Sequence, residues 1–273
     1  MKMLKKSIIV AAHPDDEILW FSSLLTGVDN IVFCFLDEIA DPDFGKRREK
    51  AVLHHPLKNV FALELASFGA WKPQCFIAPR FNKYGIEITG EDGTYAAHTK
   101  KYEENYYELR QKLADVLRQY QNVITHNPWG EYGHEEHIQV YRVVSDLQKE
   151  IGFDLWYSSY CSTRTINLLI QCICVAEEAT LPADISLARE LMTYYEKNAC
   201  WTWHKNWHWP VHETFFRQGN CASSDRNDVS LVPLNLILIP QMLPQFSKQP
   251  HQRKRMESIV RKMSKWVLKR DRP

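Results

Sequence analysis

The chain has 273 residues, 45% of them hydrophobic, with 34 Lys and Arg against 33 Asp and Glu. That composition suits a soluble globular fold of one large α/β domain or two small ones, and a formal net charge of +1 excludes an overall electrostatic bias toward nucleic acid or acidic partners. Seven cysteines, an odd number with no Cys-x-x-Cys pair, point to reduced thiols in a cytoplasm-like compartment.

Lys2, Lys5 and Lys6 precede an apolar run that is broken by His13-Pro14-Asp15-Asp16 before it reaches the length of a secretory signal, so a mature N-terminus is expected. Ser7 to Ala12 reads as a buried strand and Ile18 to Leu25 as the start of a helix, which places His13, Asp15, Asp16 and Glu17 on the turn between them. In an open α/β sheet, ligands sit at the carboxyl ends of strands. Two explanations fit this turn. An aspartate caps the following helix, or His13 and one aspartate ligate a divalent metal while the other aspartate stays free as a base.

Asn30 to Leu36 is expected to be a second strand, Gly45 to Leu53 a helix and Asn59 to Leu65 a third strand, which is βαβ organisation. Arg47 and Arg48 belong either to a solvated helix face or to the mouth of the site, where a forked guanidinium suits a substrate hydroxyl or phosphate oxygen. Gly69 to Thr99, punctuated by Pro and Gly, reads as an irregular excursion or hairpin. Tyr102 to Tyr120 has helical spacing, and Asn122 to Thr125 is a short strand. That strand runs into His126-Asn127-Pro128-Trp129-Gly130-Glu131-Tyr132-Gly133-His134-Glu135-Glu136-His137, followed by a helix to Ile151. His134 and His137 are three apart at the helix start and project to one side. A doubly wound sheet brings both polar clusters to one rim, which favours a metal site over capping. On the same loop, Asn127 and Trp129 offer a polar group and a flat ring to a sugar, or else pack the loop.

Ala-His-Pro-Asp-Asp-Glu closing a first strand, with Gly-His-x-x-His opening a later helix, resembles the zinc-dependent sugar de-N-acetylases of the PIG-L (LmbE-like) family. The second motif departs from the family's usual His-Pro-Asp-His, reading His134-Glu135-Glu136-His137 here. The likeness covers roughly the first 160 residues. It implies a Rossmann-like α/β fold, a mainly parallel sheet flanked by helices, with a less regular C-terminal extension. It further implies one zinc ion per chain held by His13, Asp16 and His137, with Asp15 as general base and His134 facing the developing oxyanion. Glu136 would favour a protonated His134 by its charge. The implied reaction removes the N-acetyl group from an amino sugar, whether free, nucleotide-linked, lipid-linked or part of a glycoconjugate. The alternatives are hydrolysis of another amide and a non-catalytic, membrane-associated sugar-binding scaffold.

Asp154 to Tyr160 and Leu168 to Val175 read as strands, the second carrying Cys172 and Cys174 on one face, and Ser186 to Lys197 as a helix with Leu187, Leu191 and Tyr194 inward. Ala199 to Phe216 interleaves four Trp with His204, His208 and His212, which suits a saccharide lid or ordinary core aromatics. Leu231 to Phe246 is apolar but interrupted by Pro233, Pro240 and Pro244, too broken to span a bilayer. The expected division is a deacetylase domain over 1–247 and a tail over 248–273 with ten basic residues against two acidic ones. Met256, Ile259, Val260, Met263, Trp266 and Val267 make that tail a basic amphipathic helix, for an anionic membrane surface, an acidic partner or the chain's own acidic body. No nucleic-acid motif accompanies the charge. The expected location is cytoplasmic or peripheral at the inner membrane surface.

Overall fold

The computed structural model describes residues 2–37, 41–67, 79–88, 94–219 and 231–237. The first strand, β1 (Ser7–Ala11), is buried at every residue, as an uninterrupted apolar run covered on both faces requires. Along the chain follow α1 (Asp16–Trp20), β2 (Asn30–Asp37), α2 (Pro42–Leu53), β3 (Val60–Ala66), the small hairpin of β4 (Phe81–Asn82) and β5 (Gly85–Ile86), α3 (Thr94–Leu117), β6 (Asn122–Thr125) and α4 (Glu135–Ile151). The second half contains β7 (Asp154–Ser158), β8 (Tyr160–Ser162), α5 (Ile166–Cys172), β9 (Val175–Pro182), α6 (Ile185–Lys197), β10 (His212–Gln218) and β11 (Asn235–Ile237).

Seven strands form one sheet in the order β3-β2-β1-β6-β7-β10-β9. The pairs from β3 to β7 are parallel, and β10 runs antiparallel to both β7 and β9. The sequence order reverses direction on either side of β1, so the crevice at the carboxyl ends of β1 and β6 is the topological switch point, where open α/β sheets bind ligands. Both polar motifs leave the sheet there. The two strand ends are pinned to each other: Thr125 Oγ1 donates to Val10 O at 2.8 Å, and the Ala12 N–H donates to His126 Nε2 at 2.9 Å.

The expected α/β sheet is present, and the departures lie mainly in the second half. Leu168 to Val175 is not a strand. Helix α5 runs to Cys172 with Leu168 and Leu169 buried and Ile166 and Ile170 exposed, and β9 begins only at Val175. Periodicity alone does not separate a strand from a one-sided helix in so short an apolar run. Cys172 therefore shares no strand face with Cys174; its Sγ lies 2.9 Å from Leu168 O within the helix. The expected set of reduced thiols is departed from at Cys174, which is disulfide-bonded, while Cys34, Cys161, Cys172 and Cys200 are free thiols.

The end of the aromatic stretch is core rather than lid: Phe215 and Phe216 are buried in β10. Helix α6 buries Ala188, Leu191 and Tyr195, leaving Leu187 and Tyr194 half-buried. Helix α1 stops at Trp20 instead of reaching Leu25, because Ser22 and Ser23 give their N–H groups to the Glu213 carboxylate at 3.3 and 2.7 Å. Among the described residues no helix is long and apolar enough to cross a membrane. The basic amphipathic tail expected over 248–273 lies outside the described residues.

Glu213 is fully buried and also accepts from Ser22 Oγ and Tyr160 OH, at 2.9 and 2.8 Å. Replacing it with Ala strands two backbone N–H groups without acceptors. Glu213→Ala should lower the unfolding free energy in urea by about 3 kcal/mol; a loss below about 0.5 kcal/mol would show that the carboxylate does not hold this turn.

Candidate metal centre and active site

The turn after β1 is strained. Asp15 has φ 99° and ψ −19°, a left-handed conformation that a non-glycine residue holds only when its surroundings impose it. It stands at the N-cap of α1, yet its side chain makes no capping bond. The Asp16 carboxylate is also directed elsewhere: Oδ2 accepts the His13 N–H at 2.7 Å and Oδ1 accepts Trp20 Nε1–H at 2.9 Å. Helix capping therefore does not explain the two aspartates. Glu17, fully buried, holds the turn by accepting the Asp15 N–H at 3.0 Å and Tyr195 OH at 2.8 Å.

The loop after β6 closes on a second buried carboxylate, Glu131. It accepts from Ser158 Oγ at 2.6 Å, from the Asn127 N–H at 3.2 Å, and lies 3.1 Å from His126 Nδ1 and 2.8 Å from His137 Nδ1. With Nδ1 directed to the Glu131 carboxylate, His137 Nε2 is buried with no hydrogen-bond partner among the described residues, 3.3 Å from Asp16 Oδ1. His13 mirrors this arrangement. Its Nε2 is 2.6 Å from Glu136 Oε2 and its Nδ1 is 3.2 Å from Asp16 Oδ2. Each imidazole thus has an outer nitrogen on a glutamate and an inner nitrogen toward Asp16, the pattern in which a carboxylate orients a metal-ligating histidine.

Two triplets of donor atoms close within 4.8 Å: His13, His134 and His137, and Asp16, His126 and His137. Neither is the set His13, Asp16 and His137 implied by the motifs, but the hydrogen bonding distinguishes the roles. His126 Nε2 already accepts the Ala12 N–H, and the ring stacks on His137 with centroids 3.8 Å apart, so His126 acts as a support. His134 Nδ1 accepts the Glu136 N–H at 3.2 Å at the N-cap of α4. The donor set of two inner imidazole nitrogens and a carboxylate, with His137 Nε2 an orphaned buried lone pair, fits a zinc-type divalent cation.

Electrostatics follow from this packing. Burial opposes the Asp16 charge, but the neighbouring imidazoles hold its carboxyl well below the usual range. Burial alone would lower His13, yet its bonds to Asp16 and Glu136 raise it to about 9. Asp15 moves the other way, to about 7, through burial and the Asp16 charge, partly offset by Arg48 and by bonds from Thr202. His134 is held well below its ordinary value by burial and by the charge of His137 and His13. The Glu136 carboxylate, expected to support an imidazolium at His134, lies 2.6 Å from His13 Nε2.

Of the residues expected to meet substrate, three have structural partners. Asn127, fully buried, donates to Ser158 Oγ and Tyr160 O and accepts the Glu131 N–H. Trp129 is also fully buried and donates to Tyr160 O at 2.7 Å. Both pack the loop. Arg47 donates through Nε to Ala199 O at 2.9 Å and lies 3.5 Å from Asp41, which ties α2 to a distant loop. Arg48 differs. Only 5% exposed and over the Phe44 ring, it meets no hydrogen-bond or ion-pair partner among the described residues, and its charge acts on Asp15.

Sequence reasoning missed Glu131, Glu17, His126 and Thr202. Glu131 lies inside the second motif, but the direction of its carboxylate is set by the left-handed pair Gly130 (φ 67°) and Glu131 (φ 51°). Thr202 carries no signal in the sequence.

No family model matches the chain. Over 174 residues it is 28% identical to a 1D-myo-inositol 2-acetamido-2-deoxy-alpha-D-glucopyranoside deacetylase of Corynebacterium diphtheriae, covering 55% of each chain. Over 75 residues it is 36% identical to an uncharacterized protein of Acanthamoeba polyphaga mimivirus, covering 24% of this chain and 32% of that one. The chain therefore spans about half or less of the length of the curated relatives it matches. A deacetylase-bog complex from the biosynthesis pathway of teicoplanin superposes with a TM-score of 0.51 at 11% identity, covering 77% of this chain and 96% of that one, a likeness of fold. The similarity to the Corynebacterium diphtheriae deacetylase agrees with the resemblance carried by the two motifs.

Burial pushes Glu131 up, but His126 and His137 outweigh it and bring its carboxyl down from 4.5 to about 2. Because the folded value is the lower one, this carboxylate stabilises the fold above pH 4.5, and the contribution is lost as pH falls toward 2. In metal-free protein, Glu131→Gln should cost on the order of 3 kcal/mol at neutral pH and flatten the acid-unfolding curve over that window. Parallel acid limbs in wild type and variant would contradict the assignment.

Proposed function

We propose that this chain is a zinc-dependent N-deacetylase, an amide hydrolase that removes the acetyl group from an N-acetylated amino sugar and holds one zinc ion per chain. The observation that carries the reading is Asp15. It is a carboxylate on a strained, buried turn that neither caps the helix nor joins the inner donor set, yet adjoins that set in sequence. A purely structural or metal-storing site needs ligands but no spare base. The deacetylase from Corynebacterium diphtheriae, named for a 2-acetamido-2-deoxy-glucopyranoside, supports the substrate class.

His13, Asp16 and His137 would hold the zinc, which when bound supplies Lewis-acid polarisation and lowers the pKa of a nearby water. The chain's own residues provide the rest. Asp15 takes a proton from the attacking water as its oxygen adds to the acetamide carbonyl carbon. His134 donates from Nε2 to the oxygen that gains charge, a role suited to a neutral imidazole whose Nδ1 is fixed as an acceptor by the Glu136 N–H. Asp15, now carrying the proton, returns it to the departing amine. Arg48, a buried guanidinium with no acceptor among the described residues, binds substrate oxygens beside the base.

Two variants test the assignment on N-acetylglucosaminides with amine release as the readout. Asp15→Asn should keep stoichiometric zinc and lose about 10²- to 10⁴-fold in kcat. Arg48→Met should raise KM by about ten- to a hundredfold, the loss expected for a charge-assisted hydrogen bond. Zinc-loaded wild type that releases no amine from any N-acetyl sugar would sink the reading.

A further inference from the structure

The base is held by a residue far from either motif. Thr202 donates both its N–H and its Oγ1–H to Asp15 Oδ2, at 3.0 and 2.6 Å, across 187 positions of sequence. No hydrogen bond engages Asp15 Oδ1 among the described residues. Thr202 lies on the fourteen-residue connection between α6 and β10, which is fastened near both ends: Arg47 Nε donates to Ala199 O where it begins, and Trp209 Nε1 donates to Ile18 O where it closes. Immediately after Thr202, Trp203 packs against Tyr132 with centroids 4.7 Å apart, and Tyr132 packs against His137 at 5.6 Å. One short segment therefore touches both the base and the ring that covers the inner donors.

We propose that Thr202 is the positioning residue of the base: by reserving Oδ2 with two hydrogen bonds, it leaves Oδ1 as the oxygen that takes the proton. This inference rests on the deacetylase reading. In the step concerned, the water O–H bond breaks, the proton joins Oδ1, and the electron pair left on the water oxygen forms the bond to the carbonyl carbon. Oδ2 keeps both Thr202 bonds throughout, so the carboxylate does not rotate between accepting the proton and returning it. A strained turn such as Asp15 holds a side-chain direction only where the surroundings over-determine it. Glu17 fixes the Asp15 N–H, and Thr202 fixes the carboxylate.

The experiment compares wild type, Thr202→Val and Thr202→Ser in the zinc-loaded full chain, by turnover of an N-acetylglucosaminide and by the carboxyl ¹³C resonance of Asp15, assigned through its loss in Asp15→Asn. Thr202→Val keeps the shape and the backbone N–H but removes the hydroxyl. It should lower kcat by about ten- to a hundredfold with KM within about threefold, the signature of a misoriented group rather than lost substrate binding. It should also move the Asp15 resonance, and Thr202→Ser should restore both. An Asp15 resonance identical in Thr202→Val and wild type would overturn the proposal whether or not the chain turns over. A resonance that moves while kcat is unchanged in an active enzyme would overturn it too. A resonance that moves in a protein inactive on every N-acetyl sugar would leave the contact intact and overturn the deacetylase reading, and the positioning role with it.

Discussion

The structure depends on one buried series of alternating carboxylates and imidazoles. Glu136, His13, Asp16, His137 and Glu131 follow one another at 2.6, 3.2, 3.3 and 2.8 Å, all at least nine-tenths buried. Removing so many ionisable groups from water is expensive, and such a series persists only where groups of opposite character lie close beside one another. Asp15 and Glu17 add two more buried carboxylates within a few residues. Arg48 is the buried guanidinium set against them. A centre this rich in carboxylate, with an orphaned imidazole nitrogen at its middle, is electrostatically suited to a divalent cation.

The sheet makes that concentration of charge possible. Strands β1 and β6 are adjacent and parallel, so their following loops leave the same edge, and the Ala12–His126 bond locks them together. Helix α4 begins within the crevice, which brings His134 and His137 to the rim from its first turn. The antiparallel strand β10 contributes from the far side: Glu213 terminates α1, and the connection entering β10 returns across the site to reach Asp15. First-half residues thus supply the imidazoles and both aspartates, and second-half residues, Thr202 and Tyr195 among them, help hold the turn that carries Asp15.

That division also accounts for the aromatic residues between α6 and β10. Trp203 and Trp207 contact Trp20 edge-on, with centroids 5.4 and 5.7 Å away, and Trp20 itself donates to Asp16. The rings are neither a detached lid nor uniform core. They form the packing beside Thr202, which bonds Asp15.

By itself the sequence determined the alternation of strands and helices in the first half, and the meeting of His13 and Asp16 with His134 and His137. Long buried apolar runs and motif-bearing strand ends are local signals, and the switch-point geometry of a parallel sheet does the rest. The tertiary structure alone decided which nitrogen of each histidine faces inward, because that depends on where Glu131 and Glu136 point. It decided that Asn127 and Trp129 spend their polar groups on the loop and that Arg48 is buried while Arg47 reaches Ala199. It also decided the fate of the 168–175 stretch, a short apolar run whose period fits helix and strand alike until Leu168 and Leu169 have a core to face. Thr202 is the clearest case: a threonine has no signature of its own, and only the return of a distant loop over a strained turn gives it Asp15 as a partner.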